Sequence, residues 1–158
     1  MAVEDKSNVD EIVRVIKALS TTYVEIGIVG PGKKYEGGLN TIAIATIHEY
    51  GVNLIDKNGR HLNIPERSFI RASFDAKQSK FDRMEADLEK VINLEMDVDA
   101  FFKEVGEYCV GLIQEYIIED LKSPALQPAT IKAKGSSGLL RDTGNLVGSI
   151  DYKIRRGV

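Results

Sequence analysis

The spacing of apolar residues alternates between helical and extended periods, and these changes divide the first fifty residues into three elements. Apolar side chains three and four apart predict an amphipathic helix over residues 9–19. A β-branched, alternating run predicts a strand over residues 21–29. A second helix is predicted over Thr41–Tyr50, which Asn40 would cap and Gly51 would end.

A β-hairpin is predicted next, because two short apolar segments flank an Asn-Gly pair. The segments are residues 52–55 and 61–64, and Asn58-Gly59 between them is a strong local signal for a tight antiparallel turn. Pro65 follows at once. It is expected to end the second strand, since proline cannot donate a hydrogen bond to a neighbouring strand.

Two long helical stripes follow the hairpin. Apolar positions over residues 67–93 lie on one side of a helix, and a second stripe over residues 98–121 has Asp97 as its cap. Stripes of this length on consecutive helices predict a packed antiparallel pair. A short helix over residues 142–150 and a last strand beginning at Asp151 complete the pattern.

This order of elements predicts an α+β fold. The chain would form a single domain over residues 1–158, with a small, mostly antiparallel sheet and its hairpin packed against two long helices and shorter ones. Residues 30–38 are rich in glycine and are predicted to form a mobile loop. Residues 122–138 contain prolines, serines and glycines, and they predict an extended arm with at most one helical turn.

The composition is typical of a globular chain, with 43% apolar and 28% charged residues. No apolar run approaches the ~20 residues that span a bilayer, so no membrane partner is expected. The acidic and polar first residues are unlike a secretory signal. The lone cysteine, Cys109, cannot form an internal disulfide, and it is expected to be a small buried apolar residue. The expected setting is a reducing cytoplasm, or a particle assembled there.

The net charge of −3 hides an uneven distribution. Residues 122–158 carry seven basic and two acidic side chains, a net charge of +5, while the other 121 residues carry −8. Such a division points to nucleic acid or to an acidic protein partner. Complementarity between copies of the same chain is the favoured interpretation, because no aromatic residues alternate with the basic ones as single-strand binding would require.

Two partial motifs suggest chemistry, and each lacks a required residue. Residues 27–33 match the spacing of a phosphate-binding loop, but Lys34 stands where serine or threonine must ligate magnesium. His48 and Glu49 begin a zinc-protease pattern, but Val52 stands where the second histidine is needed. No acid, base and oxyanion site assemble in the sequence. The chain is therefore predicted not to be an enzyme, and no cofactor or metal is expected.

Three ordered segments, together with the arm, carry a resemblance to a known family. They are residues 47–51 (IHEYG), 64–71 (IPERSFIR) and 139–150 (LLRDTGNLVGSI), and the arm before the third reads PATIKAK over residues 128–134. In this order they resemble the neck and tail-completion proteins of tailed bacteriophages, which include Mu-like virion morphogenesis proteins and minor tail components of siphophages. Ser68 stands where that family often has proline, and serine caps a helix well.

The resemblance implies a virion structural protein at the head–tail junction or at the head-proximal end of the tail. Such a protein is located in the virion neck or tail, and in the host cytoplasm during assembly. It would complete the tail or neck by forming a ring of its own copies and by docking to the tail tube, a tail terminator or head-closure and connector proteins. Where the ring lines a channel, it would contact genome DNA without reading sequence.

Two alternatives stay open. One is a DNA-binding accessory protein that uses the basic C-terminal segment. The other, within the virion class, is a tail terminator or a head-closure protein.

The motifs supply two sets of candidate residues. Arg67 and Arg71 lie four apart at the start of the predicted long helix, where they would reach carboxylates of the same chain or of a neighbour. Fold maintenance is the favoured role of each motif over direct partner contact. The candidates for assembly are Lys33, Lys34, Tyr35, Arg67, Arg71, Lys132, Lys134, Arg141 and Asp142. The candidates for holding the fold are His48, Glu49, Gly51, Pro65, Phe69, Thr143, Gly144 and Leu146.

Overall fold

The structure is a computed structural model, and it confirms the predicted α+β fold. It describes residues 8–30, 32, 38–55, 57–126, 128, 131–132, 135, 139–140 and 144–157. Its main helices and strands are α1 (Val9–Thr21), β1 (Thr22–Gly27), α2 (Thr41–Tyr50), β2 (Val52–Ile55), β3 (His61–Ile64), α3 (Arg71–Ala76), α4 (Asp82–Ile92), α5 (Val98–Glu115) and β4 (Asp151–Arg156).

The strands pair as two separate antiparallel sheets of two strands each. In the first sheet β1 pairs with β4, and Val24 lies opposite Ile154. In the second, β2 and β3 form the predicted hairpin, in which Leu54 lies opposite Leu62. The hairpin prediction is therefore confirmed. Instead of joining a common sheet, however, the hairpin forms a sheet of its own.

Helix α5 is the central support of the first sheet, because it packs against both β1 and β4. Its N-terminus is capped as predicted: the Asp97 carboxylate accepts backbone N–H bonds from Asp99 at 2.9 Å and Ala100 at 3.3 Å. Gly106 lies in the middle of α5 beneath the Tyr152 ring of β4, and a Cβ atom there would lie 2.2 Å from a ring carbon. This close contact between helix and sheet thus requires glycine.

The predicted single helix over residues 67–93 is wrong. The chain reaches α3 only at Arg71, leaves it after Ala76 and passes through a 3₁₀ turn, Gln78–Phe81, before α4. Aromatic packing accounts for the break, since the turn places Phe81 in a stack with Phe74 at 5.6 Å and edge-on to Tyr108 of α5 at 6.4 Å. A straight helix would not satisfy both contacts.

The main core lies where α2, the residues before α3, the end of α5 and the last third of the chain meet. Phe69 is completely buried there, and Leu146 and Ile150, both expected to anchor the last segment to the core, are each 4% exposed. The second predicted long helix continues past α5 as a wider π turn, Tyr116–Asp120. The buried members of this core are Ala45, Phe69, Ile113, Ile117, Leu121, Leu139, Leu140, Leu146 and Ile150.

Candidate functional site

The first two motifs meet at one buried carboxylate. Glu49 lies in the last turn of α2, and its side chain is only 6% exposed. The carboxylate accepts backbone N–H bonds from Phe69 at 2.8 Å, Ile70 at 3.0 Å and Arg71 at 3.1 Å. The N–H groups of Phe69 and Ile70 immediately precede α3, and that of Arg71 is the first of the helix, where the first amides lack partners within the helix. Glu49 therefore caps α3 from another element.

Two side chains complete what we call the Glu49 cluster, which consists of Glu49, Ser68 and Arg71. The Ser68 hydroxyl donates to the carboxylate at 2.8 Å, and Arg71 Nε donates to it at 3.1 Å. Arg71 also binds the Glu49 carbonyl at 2.8 Å and the Glu66 carboxylate at 2.9 Å. Its guanidinium carbon lies 4.8 Å from the centre of the Tyr50 ring. Arg71 thus binds carboxylates of its own chain, which is one of the two possibilities predicted for it.

The hydrogen bonds keep Glu49 ionised. Burial by itself would raise the pKa of Glu49, but the backbone bonds from Ile70, Arg71 and Phe69 and the Ser68 hydroxyl together hold this pKa below its ordinary value. The hydrogen bond to Glu49 in turn raises the pKa of Arg71. A carboxylate with a lowered pKa and five donors is a poor proton acceptor. The arrangement therefore stabilises structure and is unsuited to acid–base catalysis.

Arg67 does not lie on a helix as predicted, and within the described residues its guanidinium binds backbone carbonyls and no carboxylate. It precedes α3, with its backbone N–H bonded to the His48 carbonyl at 2.7 Å. Its buried guanidinium donates from Nε to the Pro124 carbonyl at 2.9 Å and from Nη2 to the Ala125 carbonyl at 3.3 Å. Burial lowers the pKa of Arg67. Arg67 therefore connects the second motif to the beginning of the arm.

Gly51 and Pro65 fulfil their predicted roles at the ends of elements. Gly51 ends α2 with φ 69° and ψ 170°. This conformation is essentially restricted to glycine, and it differs from the left-handed helical conformation that was expected. A Cβ atom there would also lie 2.8 Å from the backbone nitrogen of Glu66. Strand β3 ends at Ile64, immediately before Pro65. Gly51 is therefore the last residue of the first motif, and Pro65 lies at the start of the second.

The third motif joins the first two through the core, because Leu146 and Phe69 belong to the same buried cluster. Gly144 has a positive φ of 69°, and a short 3₁₀ helix, Val147–Ser149, replaces the longer predicted helix. Lys132 is exposed and helical. Most of the predicted loop and much of the arm lie outside the described residues, and so do the candidates Lys33, Lys34, Tyr35, Lys134, Arg141, Asp142 and Thr143.

Sequence reasoning missed the link between Glu49 and α3. It assigned Glu49 to the fold and Arg71 to assembly, and the structure joins them in one cluster. A signal was present, because Ile70 occupies the N-cap position of α3 and its side chain cannot cap. The nearby Ser68 hydroxyl accepts the Ala72 N–H at 3.4 Å, and the Arg71 N–H is satisfied by Glu49 from elsewhere in the chain.

The described residues were also searched for a reactive thiol, a metal site and a membrane-spanning helix. Burial raises the pKa of the Cys109 thiol to about 11, so it is a poor nucleophile. In the part of the chain that the structure describes, no three His, Cys, Asp or Glu side chains are arranged to hold a metal ion. Within the same residues, no helix is both long and apolar enough to cross a membrane.

Comparison with models of protein families, with curated proteins and with solved structures found no match. The ordered motifs and the geometry of the described residues are therefore the basis for a functional proposal.

Proposed function

We propose that this protein is a virion structural protein of a tailed bacteriophage. It would act at the head–tail junction or at the head-proximal end of the tail, and it would complete the neck or tail as a ring of identical copies. The observation that carries the proposal is the ordered occurrence of three motifs of the neck and tail-completion family, over residues 47–51, 64–71 and 139–150.

The geometry of the motifs supports a structural role. Among the described residues the most deeply buried charged groups are Glu49 and Arg67. Their hydrogen bonds join α2, the start of α3 and the residues after α5. This gives one connected frame that joins the hairpin to the first residues of the arm, Pro124 and Ala125. A ring subunit needs such a frame, because each copy must present two different surfaces to its neighbours at a fixed angle.

The charge distribution favours contacts between copies over contacts with DNA. Two of the seven basic residues in the +5 segment already pair within the chain: Arg155 binds Glu25 at 2.9 Å, and Arg156 binds Asp99 at 2.5 Å. The rest of the chain carries a net charge of −8, which would repel a nucleic acid and attract the basic segment of a neighbour.

Gold-labelled antibody against the protein, imaged on purified phage particles by electron microscopy, tests the proposal. The expected result is label at the head–tail junction or at the end of the tail nearest the head. The proposal is overturned if the protein is made during infection but purified particles carry neither label nor the protein in mass spectra.

The alternative is a DNA-binding accessory protein, and the +5 segment favours it. It predicts binding of duplex DNA by a monomer or dimer, with an affinity that falls steeply as salt increases. Fluorescence anisotropy with a labelled duplex at low and moderate salt separates the two functions. If the protein is a virion subunit, we expect little binding of free duplex, because many copies would surround one DNA molecule only in a closed ring.

A further inference from the structure

One face of the hairpin is apolar and only partly covered. Val52 lies opposite Ile64 and Leu54 opposite Leu62, so alternation places all four side chains on the same face. Leu54 is 41% exposed and Leu62 is 46% exposed. The two strands pair mainly with each other, and neither packs extensively against another described helix or strand. An isolated hairpin is marginally stable in water, so covering this face would stabilise it.

Helix α1 has a second uncovered apolar stripe. It packs against α4, α5 and β1, and its side chains Ile12, Val15 and Leu19 are half-buried. Three further apolar residues, four and three positions apart, form a stripe beside that contact and remain exposed. They are Val9 at 58%, Val13 at 42% and Ile16 at 51%.

The two surfaces match in length and in charge. A four-residue strand is ~13 Å long, and the α1 stripe is ~10 Å long. In the sequence, the segment that joins β2 and β3 has two basic residues, Lys57 and Arg60, and one acidic residue, Asp56. The first turn of α1 carries Asp10 and Glu11. Both apolar surfaces are exposed in the same chain, so they do not cover each other. A second copy of the chain would supply a complementary surface.

We propose that the hairpin of one copy docks by its apolar face onto the exposed stripe of α1 in the next copy. The basic turn of the hairpin lies toward the acidic first turn of that helix. The contact joins two different surfaces, so it repeats from copy to copy and closes into a ring if the rotation allows. This interface rests on the ring assembly proposed above, and it names the elements that make the ring.

The contact is small. Three side chains on one side and four on the other fall short of the ~1,200 Å² that a stable pairwise interface buries. A pair of copies therefore dissociates readily, and closure of the ring, in which each copy is held on two sides, supplies the missing stability. Assembly is expected to rise steeply with protein concentration.

Disulfide cross-linking between two different variants tests this interface. Val13→Cys protein is mixed with Leu62→Cys protein under mild oxidation, and Cys109 stays unreactive because it is buried. We expect about tenfold or more cross-linked dimer in the mixture than in either variant alone, since only the mixture places a cysteine on each side of the interface. Ile118→Cys, at an exposed apolar residue on another segment, replaces Leu62→Cys as the matched control.

Each outcome decides between this interface and another. Efficient cross-linking of Val13→Cys with itself would show that α1 pairs with α1, and equal cross-linking with Ile118→Cys would show random collision. Either result overturns the interface. If rings form without the Val13–Leu62 cross-link, the interface is wrong and the proposed function stands. If purified phage particles lack the protein, the proposed function is wrong, whatever the cross-linking shows.

Discussion

Glu49 shows how this chain makes a buried charge favourable. A carboxylate removed from water costs several kcal/mol unless hydrogen bonds replace its hydration. Glu49 obtains them from three consecutive backbone amides where the chain enters α3, and from the side chains of Ser68 and Arg71. These hydrogen bonds therefore satisfy the backbone N–H groups at the beginning of α3 and also replace the hydration of the carboxylate.

Replacement of Glu49 by glutamine tests this account. We expect Glu49→Gln to lower the free energy of unfolding by about 2–4 kcal/mol, because the amide nitrogen faces backbone donors and Arg71 loses its buried partner. Urea denaturation followed by circular dichroism measures the change. Glu66→Gln is the matched control, since it removes an exposed carboxylate from the same arginine and should cost several-fold less. Equal losses in the two variants would contradict the capping role.

Glu49 should also make stability depend on pH in a defined direction. Its pKa is lower in the folded chain than the ordinary 4.5, so the unfolded chain binds the proton more readily as the pH falls. The stabilisation is complete above the ordinary pKa and is lost as the pH falls through the lowered one. The stability difference between wild type and Glu49→Gln should shrink as the pH falls below the ordinary pKa of 4.5 and through the lowered pKa of the folded chain. A difference that grows toward acid pH would contradict the lowered pKa.

Arg67 should control the local stability of the first residues of the arm. Arg67→Ala removes both bonds to the carbonyls of Pro124 and Ala125, so this segment should open more often. Limited trypsin digestion should then cleave after the exposed Lys122 several-fold faster than in the wild type. Arg14→Ala, a change on the surface of α1, should leave that rate unchanged. A rate in Arg67→Ala equal to the wild type would show that other contacts hold the segment.

At the scale of elements, the contact between α5 and β4 depends on one glycine. Gly106→Ala would place a methyl group against the Tyr152 ring and should cost about 1–3 kcal/mol, because the ring base cannot move without shifting β4. Gly111→Ala in the same helix meets open space and should instead stabilise the protein by about 0.5–1 kcal/mol. Thermal unfolding compares the two variants. Stabilisation by both changes would contradict this packing.

Local patterns predicted the elements whose causes are local. The hairpin depends on its turn residues, and α5 begins with its own cap Asp97, so both are visible in the sequence. The break in residues 67–93 depends instead on Phe81 meeting Tyr108 of another helix. The cap of α3 depends on Glu49, about twenty residues away. Contacts of this kind are set by the fold, and the period of apolar residues does not report them.

At the scale of the whole molecule, two small sheets and five α-helices in the described residues enclose a modest core. Apolar side chains on α1 and on the hairpin remain exposed, and the charge is divided between a basic end and an acidic remainder. These features suit a subunit whose exposed apolar side chains become buried when copies assemble, as in the proposed ring. The same features would be a liability in a chain that functions alone.

Mass photometry of the purified protein, alone and then with tail tubes from the same phage, tests the central claim most directly. We expect one discrete ring-sized species, either in the protein alone or on the tail tubes. A ring that forms only on the tubes would indicate completion by induced assembly, whereas a ring formed alone would favour a terminator or connector. A protein that stays monomeric, ignores the tubes and binds duplex DNA at low salt would contradict the virion proposal.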